Sequence, residues 1–313
     1  MTDNVAPFPV DPVLTGIALA YRNSLYIADD VLPRVDVESP VFKYQSFAVA
    51  ETFAAPDSRV GRKSVPNEID LTETEVTSQT EEFALDEVVP IRDVQIATAG
   101  GRRSPVDRAT MTLTEYVALS REQRVANLVF AAGSYPSGYK TQLSGTSQWS
   151  DYTNSNPVTD LLTGMDAALM RPNVLVLSQE VWTKLRAHPK IVQAVGGQAV
   201  SAGIVARAAL ADILEIEEIL VGVARVNTAK KGQTATLARV WGKHAALIYR
   251  NRNADTSGDI TFGFTAEFGS RFGGQMPEPK TGSRGSMRVR VGEEVKELIV
   301  ANMAGYFVQD AVA

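Results

Sequence analysis

The sequence predicts an α+β fold, and three observations carry that expectation. Residues 34 to 90 alternate in polarity: Phe42, Tyr44 and Ser46 share one face, and Thr72, Thr74, Val76 and Ser78 oppose Glu73, Glu75 and Thr77. A period of two is the mark of a strand. Residues 113 to 132 instead repeat apolar side chains at helical spacing. From Asn156 onward, short amphipathic helices alternate with short apolar strands.

The elements follow in order. Residues 1 to 33 carry Pro7, Pro9, Pro12 and Pro33 around one short helical segment, "LTGIALAYRN", and read as an arm that lies on other structure. Residues 34 to 90 read as a two-stranded excursion whose tip, "AAPDSRVGRKSVPNE", concentrates Pro, Gly, Ser and charge. Such a ribbon is marginal by itself, so its faces need cover from this chain or from another copy. The next element is a long helix. Thr112 and Glu115 have capping-box spacing, in which the hydroxyl accepts the N3 amide and the carboxylate returns to the cap amide, and this places the helix start near Leu113. Leu113, Val117, Arg121, Val125, Leu128, Val129 and Ala132 form its stripe, with Gly133 as the stop.

An α/β unit is expected next. Its parts are a helix from Asn156 and Pro157 through Met170, a buried strand at 174–177, a helix at 179–188 and another from Ser201 to near Leu214. Strands follow at 219–226, 237–241 and 245–249. The last 27 residues, "MRVRVGEEVKELIVANMAGYFVQDAVA", return to alternation and are expected to pair near the long helix.

Composition narrows the function. The 313 residues are 44% hydrophobic, enough for a substantial core. There is no Cys, which removes disulfides, thiolate metal sites and a cysteine nucleophile. The start, "MTDNVAPFPVDPVLTG", has no basic n-region or apolar h-region, and no apolar run approaches a membrane span, so a soluble chain made in the cytosol is expected. A net charge of −5 argues against an electrostatic grip on nucleic acid over the whole surface. The basic groups are dispersed: Arg59, Arg62 and Lys63 at the excursion tip, Arg102 and Arg103 before the long helix, Lys230 and Lys231 in a loop, and Lys280, Arg284, Arg288 and Arg290 further on. At the tip, an ionic contact with a neighbouring subunit stands beside the reading of a solvated surface.

Motifs for catalysis fail on inspection. Ser178 lies between an apolar run and a helix, but Val176-Leu177-Ser178-Gln179-Glu180 lacks the small flanking residues of a G-x-S-x-G elbow. It reads as a helix N-cap, with Pro189 ending that helix. Only His188 and His244 are available as bases, and both read as structural or solvent-facing. "GSYPSGYKT" has Tyr139 where a P-loop needs Gly-Lys contiguity, and it follows a helix rather than a strand. The pairs Glu81-Glu82, Glu217-Glu218 and Glu293-Glu294 read as solvated faces. No cofactor or metal site is expected.

Five stretches, in this order, resemble the major capsid proteins of tailed bacteriophages with the HK97-type fold. They are "YIADDVLP", "REQRVANLVF", "QLSGTSQWSDYTNSNPVTDL", "RPNVLVLSQEVWTKLRAHPKI" and "RVWGKHAALIYR". The resemblance implies an N-terminal arm (1–33), an E-loop over the adjacent subunit (34–90), a peripheral domain (91–156 and 259–313, with the spine helix at 113–132) and an axial domain (157–258) that includes the Lys230 and Lys231 loop. It implies hexamers and pentamers in an icosahedral shell around double-stranded DNA, with no membrane partner and no enzyme activity, in a virion assembled in the host bacterial cytoplasm. Portal and decoration proteins are implied partners. The chain has no room before the arm for a scaffolding segment, so a separate scaffold or a processed precursor is expected. Lys63 sits on the loop that some members crosslink, but no acceptor is identifiable, and no crosslink is predicted.

Two other readings remain at this stage: an encapsulin-like compartment of the same fold, and a serine hydrolase using Ser178. If Ser178 is only a cap, Ser178→Ala costs about 1 kcal/mol of stability. A denaturation midpoint and an activated-ester assay check both halves: stability falls and no turnover is lost.

Overall fold

The computed structural model describes residues 8–313 apart from 22, 47–56, 63, 67, 69–73, 198–201, 231 and 257. Its longest element is the spine helix, Pro105–Val129, of 25 residues. The sequence placed its start near Leu113 with Thr112 as cap, and that is corrected: Ser104 is the N-cap, with its side chain accepting from the Asp107 amide. Pro105 occupies the first turn, where its missing N–H costs nothing. Thr112 is inside the helix, and its hydroxyl donates to the Arg108 carbonyl at 3.0 Å. The helix ends at Phe130, whose N–H bonds to the Ala126 carbonyl, before Gly133 is reached.

Fourteen strands of the described residues form two large sheets and two ribbons. In chain order they are β1 (Arg34–Val37), β2 (Val41–Ser46), β3 (Thr74–Gln79), β4 (Glu81–Pro90), β5 (Lys140–Gln142), β6 (Val174–Ser178) and β7 (Glu218–Gly222). Then come β8 (Arg225–Asn227), β9 (Leu237–Arg239), β10 (Ala245–Ile248), β11 (Gly263–Phe268), β12 (Phe272–Glu278), β13 (Ser286–Ile299) and β14 (Gly305–Gln309).

The first sheet is built around the 14-residue β13. β4 pairs along one edge, and β12 and then β11 pair along the other, with β1 parallel to β11. Val289 and Val291 of β13 and Val89 of β4 pack against Val106, Ala109 and Leu113 of the spine helix. The arm helix, Pro12–Ala20, closes this cluster with Leu14 and Ala18. Asp11 caps it, accepting from the amides of Val13 and Leu14.

The second sheet runs β5-β14-β10-β6-β7. It is apolar on both faces, which explains the uninterrupted VLVL run of β6. Leu175 and Leu177 face a core with the helices Pro157–Ala167, Gln179–Leu185, Pro189–Gly196 and Arg207–Leu214, whereas Val174 and Val176 face Val125, Ala126 and Val129 of the spine helix. The terminal stretch therefore divides. β13 lies against the spine as expected, but β14 joins the second sheet through β10. The helices are shorter than the sequence suggested: the first ends at Ala167, and the second ends at Leu185 because His188 already caps the next. Ser201 lies outside the described residues.

β2 and β3 form the separate ribbon, with Phe42 opposite Ser78 and Tyr44 opposite Val76. Its base is held where Phe42 and Tyr44 meet Phe264 and where the Thr80 amide bonds to the Pro40 carbonyl at 2.9 Å.

One close approach couples the sheets to the spine. A Cβ on Gly222, the last residue of β7, would lie 2.0 Å from the Trp241 ring, which is fully buried. Gly222→Ala is expected to cost about 3 kcal/mol through overpacking, seen as a lower denaturant midpoint with an unchanged m-value. An unaltered midpoint contradicts this packing.

Candidate functional site

The chemistry-bearing side chains do not converge on a reaction centre. They converge on the spine helix, where they hold the arm and both sheets together. Arg121 and Glu122 are adjacent and buried, at 2% and 0% exposure. Neighbours in a helix point about 100° apart, so the two reach different elements. Arg121 ion-pairs with Asp29 and donates to Thr265 Oγ1 at 3.0 Å and to the Leu32 carbonyl at 3.4 Å. Glu122 accepts from the amides of Ile27 and Ala28 at 3.1 and 2.8 Å and from the Trp241 indole at 2.6 Å. Burial pushes the Glu122 carboxyl above its ordinary range, while those three donors pull the other way.

Two turns earlier, on the same face, Glu115 accepts from Tyr21 Oη and Tyr26 Oη, each at 2.5 Å, and from Asn23 Nδ2 at 2.9 Å. The hydrogen bond to this carboxylate pushes the Tyr21 hydroxyl up to about 12. A second network sits beside the first. Glu293, buried in β13, accepts from Arg34 at 2.9 Å and Arg271 at 3.1 Å, and Arg34 also reaches Glu267 at 2.8 Å. Burial opposes the Glu293 charge, yet those guanidiniums hold its carboxyl below the usual range. Arg250 completes the set by bridging the Asp30 carbonyl of the arm to Glu218 of β7.

This corrects two expectations. The described arm is held by its own subunit, with Leu14, Ala18, Ile27, Ala28, Val31 and Leu32 all buried. Glu293 is not on a solvated face, and Glu217 and Glu218 both approach Arg250.

The other singled-out residues are placed as follows. Ser178 is a buried cap whose Oγ accepts from the Val181 amide at 3.2 Å. The histidine that does meet a serine is His188, 3.0 Å from Ser155 through Nε2. Its Nδ1 accepts from the Lys190 amide, so Nε2 carries the hydrogen and donates to Ser155, which in turn donates to the Asp151 carbonyl. That tautomer cannot take the serine proton, so the pair is structural. His244 Nδ1 accepts from the Asp310 amide at 3.0 Å. Among the described residues no cluster of His, Asp and Glu is placed to hold a metal, and no helix is long and apolar enough to cross a membrane. Arg59 and Arg62 are exposed in one turn, and Lys230 is exposed in the loop between β8 and β9. Lys63 and Lys231 lie outside the described residues. Arg121 was legible only as a cation interrupting an apolar stripe, and Glu122, Trp241 and Glu293 gave no local signal.

A chain whose charged side chains are spent on internal clamps, and whose ribbon stands apart from both sheets, is a structural subunit of the HK97-type fold. The comparisons define it further. Residues 138–284 match the family described as Phage major capsid protein E. The chain is 47% identical over 308 residues to the major capsid protein of Pseudomonas phage JBD67, covering 98% of this chain and 99% of that protein. It is 30% identical over 270 residues to the major capsid protein of Burkholderia phage BcepMu, covering 82% of each. A crystal structure of a phage-related protein from Bordetella bronchiseptica RB50 superposes with a TM-score of 0.74 at 24% identity, covering 97% of this chain and 98% of that one. This chain belongs to the phage major capsid protein family. It is a structural component of a virion, built from many copies, and not an enzyme.

Glu122→Ala strands three donors in the core and removes the compensation of Arg121, so it is expected to cost roughly 3–5 kcal/mol. Glu122→Gln keeps an acceptor oxygen and should cost less. Urea denaturation of the three proteins checks the order, and equal midpoints contradict the clamp.

Proposed function

We propose that copies of this chain associate into hexamers and pentamers that close as an icosahedral phage head around double-stranded DNA. In this reading residues 34–90 act as the E-loop laid over an adjacent subunit, 91–156 with 259–313 form the peripheral domain, and 157–258 form the axial domain, whose Lys230 and Lys231 loop meets its copies around the capsomer axis. A separate scaffold, a portal and decoration proteins complete the head, which is assembled in the host cytoplasm.

The observation that carries this reading is the exposure of the ribbon. Val41 at its base is 55% exposed, and Val60 and Val65 at its tip are 47% and 83% exposed. A two-stranded ribbon with apolar residues in water is stabilised when a neighbour covers it. Membership of the capsid family favours a phage head over an encapsulin-like compartment of the same fold. Negative-stain microscopy of the purified chain tests the proposal. Shells, tubes or capsomers are expected, and a strictly monomeric compact particle contradicts it.

A further inference from the structure

A groove of about 780 Å³ lies between the arm after its helix, the spine helix and the turn joining β11 to β12. Its lining includes Asp30 and Asp36, both exposed and without a pairing cation among the described residues. Leu19, 51% exposed, and Pro33 add apolar wall. The groove also reaches Arg121 and Arg271, whose buried Nε atoms have no acceptor. Buried donors of this kind are nearly always satisfied in a finished assembly, and a loop entering the groove brings backbone carbonyls that can do so.

The ribbon tip has the opposite character. Arg59 and Arg62 are exposed and meet no carboxylate side chain among the described residues, and Val60 lies between them. In one chain the groove is open and the tip is exposed, so the two complementary surfaces do not engage each other. A contact between the tip of one copy and the groove of the next is head-to-tail, and such contacts close into rings when the rotation permits.

We propose that this groove receives the ribbon tip of a second copy, with Arg59 and Arg62 meeting Asp30 and Asp36 and with Val60 against Leu19 and Pro33. The inference rests on the shell reading and adds to it the place where one subunit grips the next. Both halves are polar enough to stay soluble apart, so the join depends on ionic strength.

The absence of Cys permits a clean test. Arg62→Cys with Asp36→Cys, oxidised by oxidised glutathione, is expected to give a ladder of covalent multimers on a non-reducing gel. Each single variant alone should stay monomeric, and a mixture of the two should give dimers only. A disulfide closed within one chain overturns the proposal. So does the absence of crosslinks in a sample whose particles are visible by microscopy, and that result leaves the shell reading standing. Neither particles nor crosslinks refutes both. A charge exchange provides the second arm: Arg59→Glu with Arg62→Glu should reduce particle yield at least tenfold, and adding Asp30→Lys with Asp36→Lys should restore it. Lack of restoration, or no loss in the first place, places the tip elsewhere.

Discussion

Arg121 and Glu122, two opposite charges side by side in the middle of the spine helix, fix the arrangement of everything around them. Burying such groups is costly unless every hydrogen bond is made, and that cost makes the geometry selective. Glu122 is satisfied only when the amides of Ile27 and Ala28 and the indole of Trp241 arrive together. Arg121 needs Asp29, Leu32 and Thr265. One helical turn thereby specifies the path of the arm, the position of β11 and the approach of the second sheet. The apolar contacts supply most of the driving force, but they tolerate sliding, and the paired charges do not.

The consequences spread outward from that turn. Trp241 can reach Glu122 because Gly222 leaves room for its ring. Arg250 ties the same arm segment to the far strand β7, and Glu293 with Arg34 and Arg271 locks the arm to β13. With the arm committed to its own subunit, the ribbon is the large element of the described chain left without cover. The division suits a shell protein: the body must be rigid enough to tile, and the part that joins neighbours must be free to find them.

The sequence revealed patterns that local physics sets, and it hid those set by distant contacts. The VLVL strand, the Ser178 cap and the ribbon register were legible because each follows from a few consecutive residues. The spine helix was legible as a helix, but its start was misplaced by eight residues. Thr112 and Glu115 have the spacing of a capping box, yet the Ser104-Pro105 pair had already begun the helix, which leaves Glu115 to hold Tyr21, Asn23 and Tyr26. The clamp itself was not legible. Glu122 and Trp241 are 119 positions apart and Arg34 and Glu293 are 259 apart, and no periodicity in either neighbourhood announces the partner. Adjacent glutamates look solvated until β4 and β12 are seen on both sides of Glu293.

A reconstruction of assembled particles, resolved well enough to trace the chain, tests the central division most directly. The expected map has residues 23–37 against the spine helix of their own subunit, with Glu122 contacting Trp241, and has the 41–79 ribbon lying on a different subunit. A map in which the arm crosses to a neighbour while the ribbon folds back on its own body would contradict it.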